Sequence, residues 1–242
     1  NMDSVISVGD LGSLVQNNFC MRCFWIQSKL KETPFRMPLP GIFSSIDSYV
    51  KNVVRSYFDA NMKLPRWFPE VGNVVGYENK LHWSRFQFTD EKSRLKIRGV
   101  PDEIFHLEDG SYHIIDYKTS RYSRAQGYLY PSYEVQLNAY AYIASKIGLK
   151  PISYLTLIYL DPDTDIVENS QWLQRSNEEF LLGFTPRVRT VDVKQDSFIE
   201  DLMAKAALIY KLLDAPSPEK ECKNCSAVDD LVGLELLDRV QD

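Results

Sequence analysis

Four cysteines constrain this chain more than any other feature. They form two C-x-x-C pairs, Cys20/Cys23 and Cys222/Cys225, near opposite ends of the 242 residues. A C-x-x-C pair presents two thiolates to one metal, and two pairs supply four ligands. If one centre joins them, the two ends of the chain must meet and everything between becomes one long closed loop. Disulfides within or between the pairs, or free thiols, are the alternatives. Residues 1–40 and 214–242 are therefore expected to be joined by a four-cysteine metal site on one domain spanning 1–242.

Hydrophobic residues make up 44% of the chain and charged residues 25%, as in ordinary globular proteins. No apolar run approaches the roughly 18–20 residues that cross a bilayer, and the start shows no basic segment followed by an apolar stretch. The protein is accordingly expected inside the cell, in the cytoplasm, away from membranes. A net charge of −5 argues mildly against a nucleic-acid partner, because Lys and Arg drive phosphate binding. Basic residues nevertheless gather locally. Lys92, Arg94, Lys96 and Arg98 would share one face at strand period, Arg121 and Arg124 form a second group, and Arg187, Arg189 and Lys194 a third. Each group is a solvated edge or one wall of a basic groove.

Helical spacing predicts a short helix from Ser7 to Asn18, an amphipathic helix from Ile42 to Ala60, a helix over Tyr133–Ile147, another over Phe198–Leu213, and a short one over Leu231–Val240. Strand-like stretches cover Val74–Phe88 and Leu95–Ile97, a hairpin surrounds Asp109-Gly110, and Ile152–Leu160 reads as a strongly apolar central strand. The order implies an α/β (α+β) protein with a mixed central sheet flanked by helices.

The hairpin carries the chemistry. On a strand, residues two apart share a face, so Asp116 and Lys118 of Ile114-Ile115-Asp116-Tyr117-Lys118 stand side by side. A three-residue loop, Glu108-Asp109-Gly110, with Gly in the left-handed position closes Leu107 against Ser111 and sets Asp102 opposite Asp116. A two-residue Asp109-Gly110 loop would instead set Asp102 opposite Tyr117 and break the group. Two close carboxylates suit a hard divalent cation such as Mg²⁺ or Mn²⁺, and an adjacent lysine can orient water or stabilise developing charge. On spacing alone, D-x-K is common, and a same-face ion pair at a strand end is the better reading of Asp116 and Lys118.

Gly-x-x-Asp at Gly99 and Asp102, then Ile114-Ile115-Asp116-Tyr117-Lys118-Thr119-Ser120, then Gln136-x-x-x-Tyr140 resembles the RecB-type branch of the PD-(D/E)XK nucleases. The resemblance implies a restriction-endonuclease-like core and a metal-dependent DNA nuclease, an exonuclease of repair, recombination or defence acting on single strands or duplex ends. A non-catalytic nucleic-acid-binding or assembly module on the same fold is the alternative. By resemblance, Asp102 and Asp116 bind Mg²⁺ or Mn²⁺, Lys118 is the catalytic lysine and the Tyr117 carbonyl completes the metal shell. Gln136 and Tyr140, one helical turn apart, position DNA.

Members of that branch often carry a histidine on the first long helix, whereas His82, His106 and His113 all fall in strand-like segments. Asp47 is a candidate replacement ligand, and an exposed Asp47–Lys51 helix pair is the plain alternative. Similar iron–sulfur nucleases of repair and CRISPR adaptation hold a [4Fe-4S] cluster on cysteines flanking the core. Their pattern is one cysteine upstream and three downstream, so the two-plus-two pattern here leaves Zn²⁺ open. Asp161-Pro162-Asp163-Thr164-Asp165 lacks the glycine and glutamate of a calcium loop and reads as an acidic turn. No G-K-[ST] phosphate loop is present, so no ATP-driven motor is encoded.

Overall fold

A computed structural model describes residues 4–30, 40–69, 72–79, 82–120, 126–164, 174–176 and 179–238. The core is a five-stranded mixed sheet in the order β10-β7-β6-β5-β2, with β2 Val74–Tyr77, β5 Glu103–Leu107, β6 Tyr112–Lys118, β7 Ile152–Pro162 and β10 Phe184–Val191. Within this sheet, among the described residues, only the β6–β7 pair is parallel, and the chain makes that crossover through α4, Gln126–Lys146. Central β6 is buried on both faces from His113 to Tyr117, as a strand covered on both sides must be.

The two faces read differently. Ile104 and Ile114 pack with Val135 and Ile143 of α4 in the larger core. Ile115 and Tyr117 pack on the other face with Val50 and Val54 of α3, Gly41–Asn61. Alternation along β6 therefore aims Asp116 at α4. A second sheet, ordered β1-β4-β3, joins Ser4–Ser7, Leu95–Arg98 and Gln87–Asp90 and seals the larger core through Ile6, Leu95 and Ile97. A two-stranded ribbon pairs β8, Gln174–Ser176, with β9, Glu179–Phe180.

Several expectations need correction. The helix read from Ser7 to Asn18 is only α1, Val8–Ser13, because Ser7 is extended and caps it, accepting from Asp10 N at 3.0 Å. A further helix, α2 at Met21–Lys29, follows. Val74–Phe88 divides between two sheets. Lys92 and Arg94 lie in the turn before β4, so only Lys96 and Arg98 of that basic group stand on a strand. Helix α4 begins seven residues earlier than its periodicity suggested. Helices α5, Asp196–Tyr210, and α6, Lys223–Asp238, complete the chain, and α6 also starts earlier than expected. Arg121, Arg124 and Asp165 lie outside the described residues.

Two glycines serve close geometry. Gly110 has φ +82°, and its N–H donates to Leu107 O at 2.9 Å while Leu107 N donates to Ser111 O at 2.9 Å. This is the three-residue loop, and it fixes the register Glu103–Ile115 and Ile104–Ile114. At Gly99, a β-carbon would lie 2.5 Å from Val8 Cγ2 and 3.1 Å from Tyr140 Cε1, so its absence lets α1 and α4 close over the strand leading to Asp102.

Candidate active site

The hairpin register, continued one residue beyond Glu103, sets Asp102 across from Asp116 at the mouth of the sheet. Lys118 Nζ lies 2.6 Å from Asp116 Oδ2 and donates to Gln136 Oε1 at 2.9 Å. Gln136 Nε2 donates in turn to Asp116 Oδ1 at 3.3 Å and to the Tyr140 hydroxyl at 2.9 Å. Gln136 and Tyr140 thus meet the strand pair from one face of α4. Tyr133, one turn before Gln136, holds its ring 4.5 Å from the Lys118 ammonium, a cation–π contact that spacing alone did not single out.

Asp102 is held from the other side. Its Oδ2 accepts from Tyr117 N at 2.7 Å, and its Oδ1 lies 2.7 Å from Lys51 Nζ. Lys51 is also 2.7 Å from Asp47 Oδ2. The Asp47–Lys51 pair therefore exists, yet it extends to Asp102 instead of ending in solvent. Arg55, one turn further along α3, grips both oxygens of the fully buried Glu103 at 2.9–3.1 Å. Neither Lys51–Asp102 nor Arg55–Glu103 was foreseen. The four-residue spacing of Asp47, Lys51 and Arg55 aligns them on one helix face but says nothing of the carboxylates they meet.

Burial dominates the electrostatics. It pushes Asp116 up to about 6, against the pull of Lys118 and with added repulsion from the Asp102 charge. Asp102 is also raised by burial, opposed by Lys51. Glu103 rises to about 7 for the same reason, opposed by Arg55. Burial works against the Lys51 ammonium, but Asp102 and Asp47 outweigh it and hold its pKa above the usual value. The mutual repulsion of Asp102 and Asp116, and their hard oxygen donors, are what a divalent cation relieves. The residues fit such an ion.

The four cysteines come together. Cys20 precedes α2 and Cys23 lies in its first turn; Cys222 precedes α6 and Cys225 lies in its first turn. Their sulfurs all lie within 4.8 Å of one another, with Cys20–Cys225 at 3.5 Å and Cys23–Cys222 and Cys23–Cys225 at 3.4 Å. Two helix N-termini therefore point at one cluster of thiols, while burial raises Cys23 and Cys225 towards the thiol form. Burial raises Cys20, but N–H groups of Glu219 and Cys23 outweigh it and bring the thiol down to about 7. Arg22 bridges the two helices by binding both oxygens of Asp229 at 2.6 and 2.9 Å.

The arrangement is chemically suited to metal-assisted chemistry at a phosphate. The model of a family described as the PD-(D/E)XK nuclease superfamily matches residues 26–229. Comparison with curated proteins finds no match. A solved structure titled "Crystal structure of SSO0001" is similar at 16% identity and a TM-score of 0.44, over 89% of this chain and 81% of that one. Among the described residues, no helix is long and apolar enough to cross a membrane.

Proposed function

Because the chain belongs to the PD-(D/E)XK nuclease superfamily, we propose that it is a metal-dependent deoxyribonuclease working at Asp102, Asp116 and Lys118. The observation that carries this reading is the Asp116–Lys118–Gln136 network facing Asp102 across the hairpin. Asp102, Asp116 and the Tyr117 carbonyl would hold Mg²⁺ or Mn²⁺; Asp47 would join them only where Lys51 withdraws. Such an ion supplies charge stabilisation at phosphate and lowers the pKa of bound water. Lys118, fixed by Asp116, Gln136 and the Tyr133 ring, adds a positive charge where negative charge develops. Gln136 and Tyr140 set the position of that lysine and of the DNA strand beside it.

Action on single strands or duplex ends, and a place in repair, recombination or defence, follow from the family resemblance and belong to the same proposal. A single domain over 1–242 and a place in the cytoplasm are part of the proposal on the separate grounds of length and composition. Labelled single-stranded, linear duplex and closed circular DNA test it. Linear and single-stranded substrates are expected to be degraded with Mg²⁺ or Mn²⁺ and to survive in EDTA, with circles spared. DNA that is bound but never cut would favour the non-catalytic alternative.

The cysteine centre holds a metal in this proposal, and the sulfur spacing bears on which. A zinc ion with Zn–S bonds of about 2.3 Å spaces tetrahedral thiolates by about 3.8 Å. A [4Fe-4S] cluster binds each thiolate to a different iron and spreads them further. Separations of 3.4–3.5 Å between the nearest sulfurs therefore favour a single ion such as Zn²⁺, although the family resemblance favours the cluster. Protein purified without oxygen is expected to be colourless and to carry stoichiometric zinc. Brown protein containing iron and sulfide would reverse this assignment and leave the shared site intact.

A further inference from the structure

Between Asp47 and Asp102 stands an ammonium group. Lys51 Nζ lies 2.7 Å from Asp47 Oδ2 and 2.7 Å from Asp102 Oδ1, a bridging position that a cation shared by those two carboxylates would need. Both Asp102 oxygens are engaged, Oδ2 by Tyr117 N–H and Oδ1 by Lys51, which leaves the carboxylate lone pairs for one metal ion beside Asp116 and fills the side facing Asp47. The lysine is fixed there by its helix. Val50 and Val54 bury the neighbouring stripe of α3 against the sheet, and the Lys51 side chain is only 23% exposed. Resting on the nuclease reading above, we propose that Lys51 is a built-in cation standing in for a second metal ion, so that the centre takes a single divalent ion beside Asp116.

Charge balance supports this. Asp47, Asp102 and Asp116 carry three negative charges against the two ammonium groups of Lys51 and Lys118, while Arg55 and Glu103 cancel one another. One divalent ion turns the deficit into a single positive charge, which the single negative charge of a phosphodiester balances. Two ions would leave the site with three positive charges in a buried setting, where unbalanced charge is costly. Lys51 contacts Asp102 and Lys118 contacts Asp116, so each of the two carboxylates carries its own ammonium group.

The test counts Mn²⁺ bound by the full chain, using the spin-resonance signal of free Mn²⁺ and titration calorimetry. The wild type is expected to bind one ion, and Lys51→Ala two, since Asp47 and Asp102 then bridge a cation. Asp47→Asn in the Lys51→Ala background should return the count to one. Lys51→Gln, which keeps most of the stem but no charge, gives the same result as alanine should that variant fail to fold. Two ions in the wild type, or still one after Lys51 is neutralised, overturns the proposal and leaves the nuclease reading standing. A wild-type count that Asp116→Asn does not lower defeats the nuclease reading itself.

Discussion

Cys222→Ala is expected to empty the four-cysteine centre and to lower the melting temperature by about 10–20 °C. The centre ties α2 to α6 through sulfurs 3.4 Å apart that are 199 residues apart in sequence. A cross-link closing a loop of that order restricts the unfolded chain by about 5 kcal/mol, and a chain of this size shifts by about 2–4 °C per kcal/mol. A metal held there would add its own binding energy to the folded state. Arg22–Asp229 also bridges the helices, and an exposed pair of this kind offers little compensation. Activity per folded molecule should survive, because the cysteines are not part of the carboxylate–lysine network. Metal loss with an unchanged melting curve would show that the clamp is not structural.

Lys118→Met should lower the rate of DNA cleavage by about a hundredfold to a thousandfold while leaving DNA affinity nearly unchanged. The ammonium lies against Asp116, Gln136 and the Tyr133 ring, and methionine keeps the stem that packs there while removing the charge. A charge that acts on developing negative charge contributes to the reaction rate more than to ground-state binding. The measurement is single-turnover cleavage beside equilibrium binding in Ca²⁺. An unchanged rate, or a loss confined to affinity, would remove Lys118 from the chemistry.

Local pattern fixed a definite part of this structure. The residues around Asp109-Gly110 announced a hairpin but left two loop lengths open; the three-residue loop carries the register, and the register carries Asp102 to Asp116. The α3 and α5 helices and the buried β7 were legible because their apolar spacing is regular; β7 proved to be interior and one place from the centre, which belongs to β6. Strand β10 was not foreseen, since Phe184–Val191 alternates poorly and takes its conformation from pairing with β7 along eight residues. Strand β1 was hidden for a similar reason: four residues gain order only by lying parallel to β4. At the site, Lys51–Asp102 and Arg55–Glu103 join residues about fifty positions apart, and no local spacing encodes such a meeting. The cysteine pairs were different, because two C-x-x-C motifs announce a shared destination without saying how the chain reaches it.

If one carboxylate–lysine centre cuts DNA, Asp116 is its pivot. The most direct measurement compares wild type with Asp116→Asn on labelled single-stranded DNA in Mg²⁺, with folding of the variant checked by its melting curve. Asparagine keeps the shape of the side chain and its hydrogen bonding to Gln136 while removing the charge that a cation needs. The wild type is expected to degrade the strand and the variant to fall by about a thousandfold or more. Equal cleavage by a folded Asp116→Asn variant would contradict the account.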